Sequence, residues 1–450
     1  MKNISRVLVA NRGEIAVRII KACQALGLET VAALSEADLN STPASLADRV
    51  ICIGPSHASQ SYLNIQAIVS AAIGTSVEAI HPGYGFLAEQ PELPSLCAEH
   101  DIIFIGPSAD MIKQMGNKLV ARKIVQDLGI NVIPGSEKVS GLDNAAVAAK
   151  KIGFPVLLKA AAGGWGRGMR VATNADELKS AFVSAAGEAH AAFGDDTIYM
   201  EKYIPNARHI EVQILADSFG NVVHLGERDC SLQRRYQKVI EEAPAYALSL
   251  DLREKICKTG VLIAQNIHYE NAGTVEFILD QDTGLFYFLE MNTRVQVEHP
   301  ITEMITGIDI VREQIRIAAK NPLSFTQSDV KFHGHSVECR INAESPRRDF
   351  QPNPGKITAW QAPRGNNVRL DTHCFAGYTV PPYYDSLIAK LVTTGENRLE
   401  AVKAMKTALQ EFVVSGIETS IPFLQYLINQ TDYDEGKTNT RWVEKVSANF

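Results

Sequence analysis

Two glutamates in a predicted hairpin are the first candidates for chemistry. Residues 275–280 and 285–290 are rich in Val, Ile, Phe and Tyr, which predicts two strands. A three-residue loop ending at Gly284 would let this glycine take the left-handed conformation that such hairpins need. In this register Glu276 faces Glu290 across the hairpin. Two facing carboxylates destabilise a sheet unless a positive group separates them, so the pair indicates a divalent cation bound by oxygen atoms.

A row of polar residues continues beyond the second strand. If the chain stays extended, the period of two places one polar set on a single face: Glu290, Asn292, Arg294, Gln296 and Glu298. A solvated edge strand would show the same alternation. The facing glutamates favour a site, in which this row would supply metal ligands, an anion-binding guanidinium and a general base.

The composition is typical of a soluble globular protein. The 450 residues predict two or three domains, with 46% hydrophobic and 21% charged residues. A net charge of −7 argues against general nucleic-acid binding. The amino-terminal apolar run is too short for a signal peptide and no run reaches membrane-spanning length, so a cytoplasmic location is expected. Seven scattered cysteines without a CxxC pair predict reduced thiols and no zinc site.

The first hundred residues predict a parallel sheet. Residues 6–10 form a predicted strand, 15–26 a helix that Gly27 stops, and 30–34 a second strand. Such a βαβ unit implies parallel strands. Further strands are predicted at 49–53, 79–80 and 102–105. The glycine turn of the unit lacks G-x-G-x-x-G, so dinucleotide binding is not supported.

Two loops in the first half of the chain are candidates for ligand binding. The segment HPGYGFLAE, 81–89, flanks Tyr84 with glycines at the carboxyl end of a strand, where open α/β sheets bind ligands. A plain turn would explain the same residues. The second loop, AAAGGWGRG, separates predicted strands at 154–159 and 169–172. Its glycine amides could cover phosphates, although it is not a Walker loop and a flexible hairpin would look the same.

Lysines and a charged segment extend these candidates. Lys159 ends the first of those strands, and Lys118 lies on an interrupted helix predicted over 109–128. Both amines are suited to phosphate oxygens. Polar and apolar residues alternate over 209–216, which predicts a half-buried strand. The segment RDCSLQRRYQKVIEEAPA, 228–245, concentrates charge, and on its own a solvated face explains such a run.

The last third of the chain predicts alternating helices and strands. An amphipathic helix is predicted over 310–319, and a strand over 335–342 bears Arg340. A further helix is predicted over 399–412, where Ala-Met-Lys around Lys406 is similar to the sequence near a biotinyl lysine. A carrier lysine belongs on an exposed hairpin tip, so this mid-helix position argues against that role.

Five segments together resemble the biotin carboxylase family, in particular the free-standing bacterial subunits of acetyl-CoA carboxylase. In chain order they are HPGYGFLAE, RDCSLQRRYQKVIEEAP, MNTRVQVEHP, ECRINAE and AGYTVPPYYDS, and the resemblance covers essentially the whole chain. It implies an ATP-grasp fold of the α/β and α+β classes. The expected parts are an amino-terminal parallel-sheet domain over 1–116, an ATP-grasp domain over 117–320 with a mobile glycine-rich lid at about 133–204, and a carboxyl-terminal domain over 334–444. A homodimer is expected.

The resemblance also implies roles for individual residues. ATP would be bound by one set: Lys118, Lys159, Gly164, Gly166, Glu201, Lys202, Ile204, His209, Gln233 and Tyr236. Two Mg²⁺ or Mn²⁺ ions would be held by Glu276, Glu290 and Asn292. Bicarbonate would be bound by Lys238, Arg294, Gln296 and the backbone of Val297, with Glu298 removing its proton. Biotin would meet Arg340, which stabilises its enolate oxygen, and Tyr84, which packs near its ring.

The implied reaction explains why this site needs so many cations. Bicarbonate attacks the γ-phosphate of ATP to give carboxyphosphate and ADP. Carboxyphosphate then releases CO₂ and phosphate, and the phosphate deprotonates biotin N1. Because both substrates are anions, metals and fixed cations must bring them together, and a lid must exclude water from the labile intermediate. Biotin is expected on a separate carrier protein. Separate carboxyltransferase subunits would then pass the carboxyl group to acetyl-CoA, the default acceptor, to give malonyl-CoA for fatty acid synthesis.

Two departures from the family pattern keep alternatives open. Trp165 interrupts the usual glycine run, and Tyr236 stands where the family usually has histidine. An indole would stiffen the lid, and tyrosine is not a cation at pH 7. A catalytically impaired or regulatory paralogue that binds the carrier is therefore one alternative. Another acyl-CoA, pyruvate or urea substrate would place the chain in a different carboxylase. The Arg340 and Tyr84 segments argue against an ATP-grasp ligase for an unrelated carboxylate.

Overall fold

The computed structural model of the chain begins with a five-stranded parallel sheet. The structure describes residues 4–136, 138–160, 169–193 and 197–450. The sheet has the order β3-β2-β1-β4-β5, formed by β1 (Arg6–Val9), β2 (Glu29–Leu34), β3 (Arg49–Cys52), β4 (Ala79–His81) and β5 (Ile103–Phe104). Its helices are α1 (Gly13–Ala25), α2 (Thr42–Leu46), α3 (Ile65–Gly74) and α4 (Glu92–Glu99). The predicted βαβ unit and parallel sheet are confirmed.

Helix α1 is fixed against this sheet by its apolar face. Ile15 and Ile19 are buried with Val7 and Val9 of β1 in one cluster. The helix ends just before Gly27, whose φ of +71° is the left-handed conformation expected of a helix stop. This packing holds the first turn of α1 below the edge of the sheet where ligands bind in α/β folds.

The segment after this sheet forms a small antiparallel unit. The predicted interrupted helix is observed as α5 (Ala109–Gly116) and α6 (Lys118–Asp127). Asn117 separates them, and its side chain accepts the N–H groups of Leu119 and Val120, which caps α6. Next come α7 (Leu142–Ile152), β6 (Val156–Ala160), β7 (Arg170–Ala172), α8 (Ala175–Phe193) and β8 (Ile198–Lys202), with strand order β7-β6-β8. Gly164, Gly166 and Trp165 lie outside the described residues.

The largest sheet has eight antiparallel strands and runs from the middle of the chain into its carboxyl-terminal part. Its order is β13-β12-β9-β10-β11-β14-β21-β19. The central elements are β9 (Ala207–Ala216), β10 (Val222–Arg234), β11 (Gln237–Ala243), α9 (Leu250–Asn266), β12 (Asn271–Asp280), β13 (Phe286–Asn292), α10 (His299–Thr306), α11 (Ile310–Ala318) and β14 (His335–Asn342). Because β11 pairs with β14, the carboxyl-terminal strands extend the central sheet, which brings Arg340 near Lys238.

The remaining elements cover the carboxyl-terminal end of that sheet. They are β15 (Glu344–Ser345), β16 (Gln351–Pro352), β17 (Gly355–Lys356), β18 (Ala359–Gln361), β19 (Val368–Thr372), β20 (Thr379–Val380), β21 (Leu387–Gly395), α12 (Arg398–Glu411), β22 (Val413–Ser415), α13 (Ile421–Ile428), α14 (Thr431–Asp434) and α15 (Trp442–Ser447). The predicted helices over 310–319 and 399–412 are confirmed as α11 and α12. Lys406 lies within α12 and pairs with Asp434 at 2.8 Å. Among the described residues, no helix is both long and apolar enough to cross a membrane.

The strand predicted over 209–216 is confirmed as β9, but the prediction that it is half-buried is wrong. All ten residues of β9 are buried. Its apolar side, which includes Ile210 and Val212, packs in a cluster with α9. Its polar side, which includes His209 and Glu211, faces other buried polar groups rather than water. An alternating pattern here marks a strand between an apolar core and a polar cavity.

Candidate active site

The predicted pairing of two glutamates is confirmed, although the loop of the hairpin differs from the predicted one. Glu276 on β12 faces Glu290 on β13. The loop has four residues, 281–284, rather than three, because the Asp280 N–H donates to the Leu285 carbonyl at 2.8 Å. A β-bulge next to the glutamate pair then shifts the register by one residue and restores the predicted pairing. The last loop residue, the predicted glycine, has φ +69°.

The chain does not stay extended as far as Glu298, so that prediction is wrong beyond Asn292. β13 ends at Asn292, and Glu298 occupies the N-cap position of α10. The reason is the following helix, whose proline at the start favours helical backbone. The polar side chains converge nevertheless. The amides of Asn292 and Gln296 donate to Glu276 Oε1 at 2.9 and 2.8 Å, and Arg294 donates to Asn292 Oδ1 at 3.2 Å.

One ammonium group joins several strands of the large sheet. Lys238 on β11 places Nζ 2.6 Å from both Glu211 Oε2 and Glu298 Oε1. The same Nζ lies 3.2 Å from Glu276 Oε1. Burial alone would lower the pKa of Lys238, but the three carboxylates outweigh it and raise the pKa well above its usual value. The charged ammonium therefore allows three buried acids to lie together.

Glu298 is held in its ionised form between two cations. Its Oε2 accepts from Arg340 Nη2 at 2.9 Å, while Lys238 contacts Oε1. Burial would raise the pKa of Glu298, but Lys238 and Arg340 outweigh it and hold the pKa well below the usual range. Arg340 Nε also donates to Glu241 at 2.6 Å. An ionised carboxylate next to two anion-binding cations has the arrangement of a general base beside a small anion.

A buried arginine that the sequence interpretation missed orients this cavity. Arg228 on β10 has no exposed surface. Its guanidinium donates to five side chains: Glu211 at 2.5 Å, Gln213 at 2.8 Å, Thr302 and Gln296 at 3.0 Å, and Thr274 at 3.2 Å. The contact to Gln296 fixes that amide toward Glu276. Arg228 lies in the charge run for which a solvated face is the simple explanation, so no sequence signal marks it as buried.

The residues predicted to bind ATP line the region between the small sheet and β9. Lys159 pairs with Glu201, which also accepts from Arg122 at 2.6 Å. His209 Nε2 lies 2.8 Å from Glu276, and Nδ1 is 2.9 Å from the Gln233 amide. Burial would lower the pKa of His209, but Glu276 reverses this and raises it. The predicted residues thus form two contact groups, Lys159 with Glu201 and His209 with Glu276 and Gln233.

The other predicted nucleotide residues lie at the rim of this region. Lys118, at the start of α6, lies 3.7 Å from Glu290. Lys202 donates to the carbonyls of the 153–154 segment at 3.1 and 2.7 Å, and Ile204 is half-buried between β8 and β9. Tyr236 lies in the two-residue turn between β10 and β11, is 52% exposed, and has φ +66°.

Two of the predicted residues are held by glutamates outside the predicted set. Tyr84 donates its hydroxyl to Glu14 on α1. Arg294 Nε donates to Glu89 at 2.9 Å, at the end of the same loop. The segment HPGYGFLAE therefore contacts the cavity at two points, which a plain turn would not require.

The donor set fits a hard divalent cation. Glu276 and Glu290 are cross-strand neighbours, and Asn292 follows two residues later on the same strand. Carboxylate and amide oxygens are the ligands that Mg²⁺ and Mn²⁺ prefer. The side chain of Glu290 is 37% exposed and lies 3.7 Å from the Lys118 ammonium, so its oxygens face open space toward the nucleotide region. These three residues would hold the metal.

Comparisons with known proteins agree with this geometry. Three family models match consecutive segments: the amino-terminal domain of biotin carboxylase over 3–112, the ATP-binding domain of the carbamoyl-phosphate synthase L chain over 117–326, and the carboxyl-terminal domain of biotin carboxylase over 338–445. Together they define an ATP-grasp enzyme.

Individual relatives cover nearly the full chain. Biotin carboxylase 1 of Bacillus subtilis is 50% identical over 98% of both chains. A pyruvate carboxylase subunit from Methanothermobacter thermautotrophicus is also 50% identical, over 98% of this chain and 90% of its own. A biotin carboxylase structure from Campylobacter jejuni has a TM-score of 0.95 with 48% identity, covering 98% of this chain and 99% of its own.

A further solved structure contains the relevant ligands. The biotin carboxylase domain dimer of Hydrogenobacter thermophilus 2-oxoglutarate carboxylase, in complex with MgADP, ADP and bicarbonate, has a TM-score of 0.95. It is 46% identical and covers 99% of this chain and 98% of its own. The chain belongs to the biotin carboxylase family, whose members are ATP-dependent carboxylating ligases that use ATP, Mg²⁺, bicarbonate and biotin.

Proposed function

We propose that this chain uses ATP and bicarbonate to carboxylate biotin N1, with the residue roles given below. The observation that carries the proposal is the Glu298 carboxylate, which contacts Lys238 at 2.6 Å and Arg340 at 2.9 Å. One cation suits bicarbonate and the other suits the enolate of biotin. The base that activates bicarbonate therefore lies next to the cation proposed for the biotin enolate, which keeps the two half-steps of the reaction close together.

Bicarbonate binds at the inner end of the cavity. Lys238, Arg294, Gln296 and the backbone of Val297 hold it, and Glu298 takes its proton. The freed bicarbonate oxygen forms a bond to the γ-phosphorus of ATP as the bond to ADP breaks, which gives carboxyphosphate. Carboxyphosphate separates into CO₂ and phosphate, and this phosphate removes the N1 proton of biotin. Arg340 stabilises the resulting enolate oxygen near Tyr84, and N1 attacks CO₂.

ATP binds on the other side of Glu276. The proposed nucleotide residues are Lys118, Lys159, Gly164, Gly166, Glu201, Lys202, Ile204, His209, Gln233 and Tyr236. Glu276, Glu290 and Asn292 hold Mg²⁺ or Mn²⁺, which when bound neutralises charge on the phosphates. The contact of His209 with Glu276, and of Gln233 with His209, supports a shared phosphate region. We also propose domain limits of 1–116, 117–320 and 334–444, with the lid at about 133–204.

Our proposals for the final carboxyl acceptor and for the partner proteins rest on the family and not on contacts within this cavity. We propose acetyl-CoA as the final acceptor, with biotin on a separate carrier protein, separate carboxyltransferase subunits, a homodimeric assembly and a cytoplasmic location. A biotin carboxylase, a pyruvate carboxylase subunit and the biotin carboxylase domain of a 2-oxoglutarate carboxylase are all 46–50% identical to this chain, so sequence identity does not select the final acceptor. Co-purification of the chain with its neighbouring subunits, followed by carboxylation assays with each acceptor, would decide among them.

The activity is tested with the purified chain and free biotin. We expect ATP hydrolysis that depends on bicarbonate, rises with free biotin, and yields labelled carboxybiotin from labelled bicarbonate. Glu298→Gln should abolish the signal, whereas Glu254→Gln, on the exposed face of α9, is the matched control. Wild-type protein that hydrolyses ATP at the same rate with and without bicarbonate would reject the proposal.

A second candidate is an impaired or regulatory paralogue. Tyr236 favours it, because this neutral side chain lies 52% exposed at the mouth of the nucleotide region. This candidate predicts dimerisation and carrier binding without turnover. Trp165→Gly and Tyr236→His should then raise a low basal rate strongly. Wild-type turnover that neither substitution changes would remove this candidate.

A further inference from the structure

A fully buried lysine lies beside the cavity without any role assigned so far. Lys390 on β21 has no exposed surface and faces Arg340 directly across the pairing of β14 with β21. Like charges in facing positions are destabilising, and a buried ammonium is costly unless it is paired. Arg340 is compensated by Glu241 and Glu298. Lys390 must therefore have partners of its own.

The partners of Lys390 come from three separate parts of the chain. Its Nζ donates to the Val297 carbonyl at 2.9 Å and lies 3.0 Å from Glu14 Oε2. Asp371, opposite it on β19, is more distant at 3.9 Å and is mainly paired with Arg369. One ammonium thus joins the first turn of α1, the turn before α10 and the carboxyl-terminal sheet.

Each of the two closer partners lies next to a residue that we propose to act on a substrate. The Val297 carbonyl belongs to the peptide that continues into Glu298, and a peptide is planar. Fixing this carbonyl therefore fixes the orientation of the peptide next to the proposed base. Glu14 contacts a residue proposed to pack near biotin, because its carboxylate also accepts a hydrogen bond from the Tyr84 hydroxyl.

We propose that Lys390 is a positioning residue that holds the Val297–Glu298 peptide for bicarbonate and, through Glu14, holds Tyr84 for biotin. The two substrate positions then keep a fixed separation, which the transfer of CO₂ between them requires. This assignment rests on the proposed function. A simpler role, neutralising the buried Glu14, would need only one of the two contacts.

Two variants separate these roles. Lys390→Met removes both contacts but leaves Glu14 buried without its cation, so instability is expected. The double variant Lys390→Met with Glu14→Gln removes the carboxylate that would lose its cation, so it should recover most of the thermal stability that Lys390→Met loses. It still lacks the donor to Val297, so the KM for bicarbonate should rise about tenfold, the effect of one hydrogen bond from a charged group.

The measurements are steady-state ATP hydrolysis against bicarbonate and against ATP, carboxybiotin formed per ATP consumed, and thermal unfolding. In the double variant we expect the KM for ATP to stay within about twofold of wild type, with fewer carboxybiotin molecules per ATP. Glu14→Gln alone should affect this ratio more than the KM for bicarbonate, because Lys390 keeps its bond to Val297.

Three results would contradict the positioning role of Lys390 or the proposed function. A stable double variant with wild-type bicarbonate KM and coupling would reduce Lys390 to a structural ion pair. A double variant that does not fold would also reject positioning, because it would make the lysine necessary for the fold itself. Wild-type protein without bicarbonate-dependent hydrolysis would instead reject the proposed function, a result that the wild-type control reveals before any variant is compared.

Discussion

Lys238 Nζ lies 2.6 Å from Glu298 Oε1, and both groups are charged within the same buried cavity. The strand β11 carries the lysine, whereas the carboxylate precedes helix α10. Neither group would remain charged alone at this depth, because a buried charge is stable only when it is paired. Together they form an ion pair whose ammonium and carboxylate suit the proposed roles of anion site and base.

The first prediction concerns the base. Glu298→Gln keeps the shape of the side chain but cannot accept a proton, so kcat for bicarbonate-dependent ATP hydrolysis should fall by about 10²–10⁴. The KM for ATP should change little, because Glu298 makes no hydrogen bond or ion pair with those nucleotide residues that the structure describes. Steady-state kinetics against both substrates measures this, with Glu254→Gln as control. A kcat within tenfold of wild type would remove Glu298 from the role of base.

The second prediction concerns the pH dependence of the same step. Arg340 helps to hold the pKa of Glu298 below its usual range, so Arg340→Gln should raise that pKa. The base must be deprotonated to act, and the rate of the variant should therefore begin to fall at a higher pH than the wild-type rate as the solution is acidified. The measurement is kcat/KM per bicarbonate ion, followed from pH 8 down to the acid limit at which each variant stays folded. An acid limb at the wild-type pH would mean that Arg340 does not act on Glu298.

Local patterns predicted most of the elements correctly. The βαβ unit, the break beside Lys118, the helix α12 and the strand β14 all follow from periodicity and from stop signals that act within a few residues. The glutamate pair was also predicted, but its register depends on a bulge that compensates for a longer loop. β12 pairs with β9 without a register shift, so the extra residue of the bulge lies on β13, and no local pattern marks its position.

The cavity depends on contacts between segments that are distant in the sequence. For this reason the sequence did not predict several of its buried charged residues. Arg228 and Glu211 look like members of a charge run and of an alternating strand, yet both are fully buried. Lys390 lies 93 residues from its partner Val297. Only the order of strands in the large sheet brings such residues together. The family resemblance located the remaining site residues, since their individual types are common on protein surfaces.

The third prediction concerns the metal. Glu290→Gln removes one carboxylate ligand, so the concentration of Mg²⁺ that gives half-maximal ATP hydrolysis should rise by about tenfold or more. This variant is cleaner than Glu276→Gln, because Glu276 also binds His209 and Lys238. Titration with Mg²⁺ and with Mn²⁺ at saturating ATP measures the change. An unchanged midpoint for both ions would exclude Glu290 as a ligand.

The fourth prediction concerns the buried arginine. Arg228→Met leaves Glu211 without one of its two cations and frees the Gln296 amide, so the free energy of unfolding should fall by about 3–5 kcal/mol. Urea denaturation followed by tryptophan fluorescence measures this loss. Arg235→Met, which removes an exposed pair with Asp349, is the matched control and should change stability little. Equal stabilities for the two variants would contradict the structural role of Arg228.

The fifth prediction uses a carboxyl group that the reaction does not need. Glu338 faces Glu241 across the pairing of β11 with β14, and both are fully buried. Among the described residues, neither oxygen of Glu338 has a hydrogen-bond partner. Burial raises the pKa of Glu338 well above its usual value, and the nearby Glu241 adds to this rise. Lys390 and Arg340 oppose the shift without cancelling it.

The sign of the effect on stability follows from that direction. When the pKa of an acid is raised in the folded state, the acid is protonated in both states at a pH below its unfolded pKa of about 4.3, and the free energy of unfolding is unaffected. As the pH rises above that value, the unfolded state loses its proton first, so the free energy of unfolding falls. Glu338→Gln should therefore unfold near the wild-type temperature at pH 5 and about 1–3 °C higher at pH 8. Calorimetry across this range measures the difference, with Glu99→Gln at the exposed end of α4 as control. A variant that is less stable than wild type at pH 8 would show that the ionised carboxylate of Glu338 stabilises the fold.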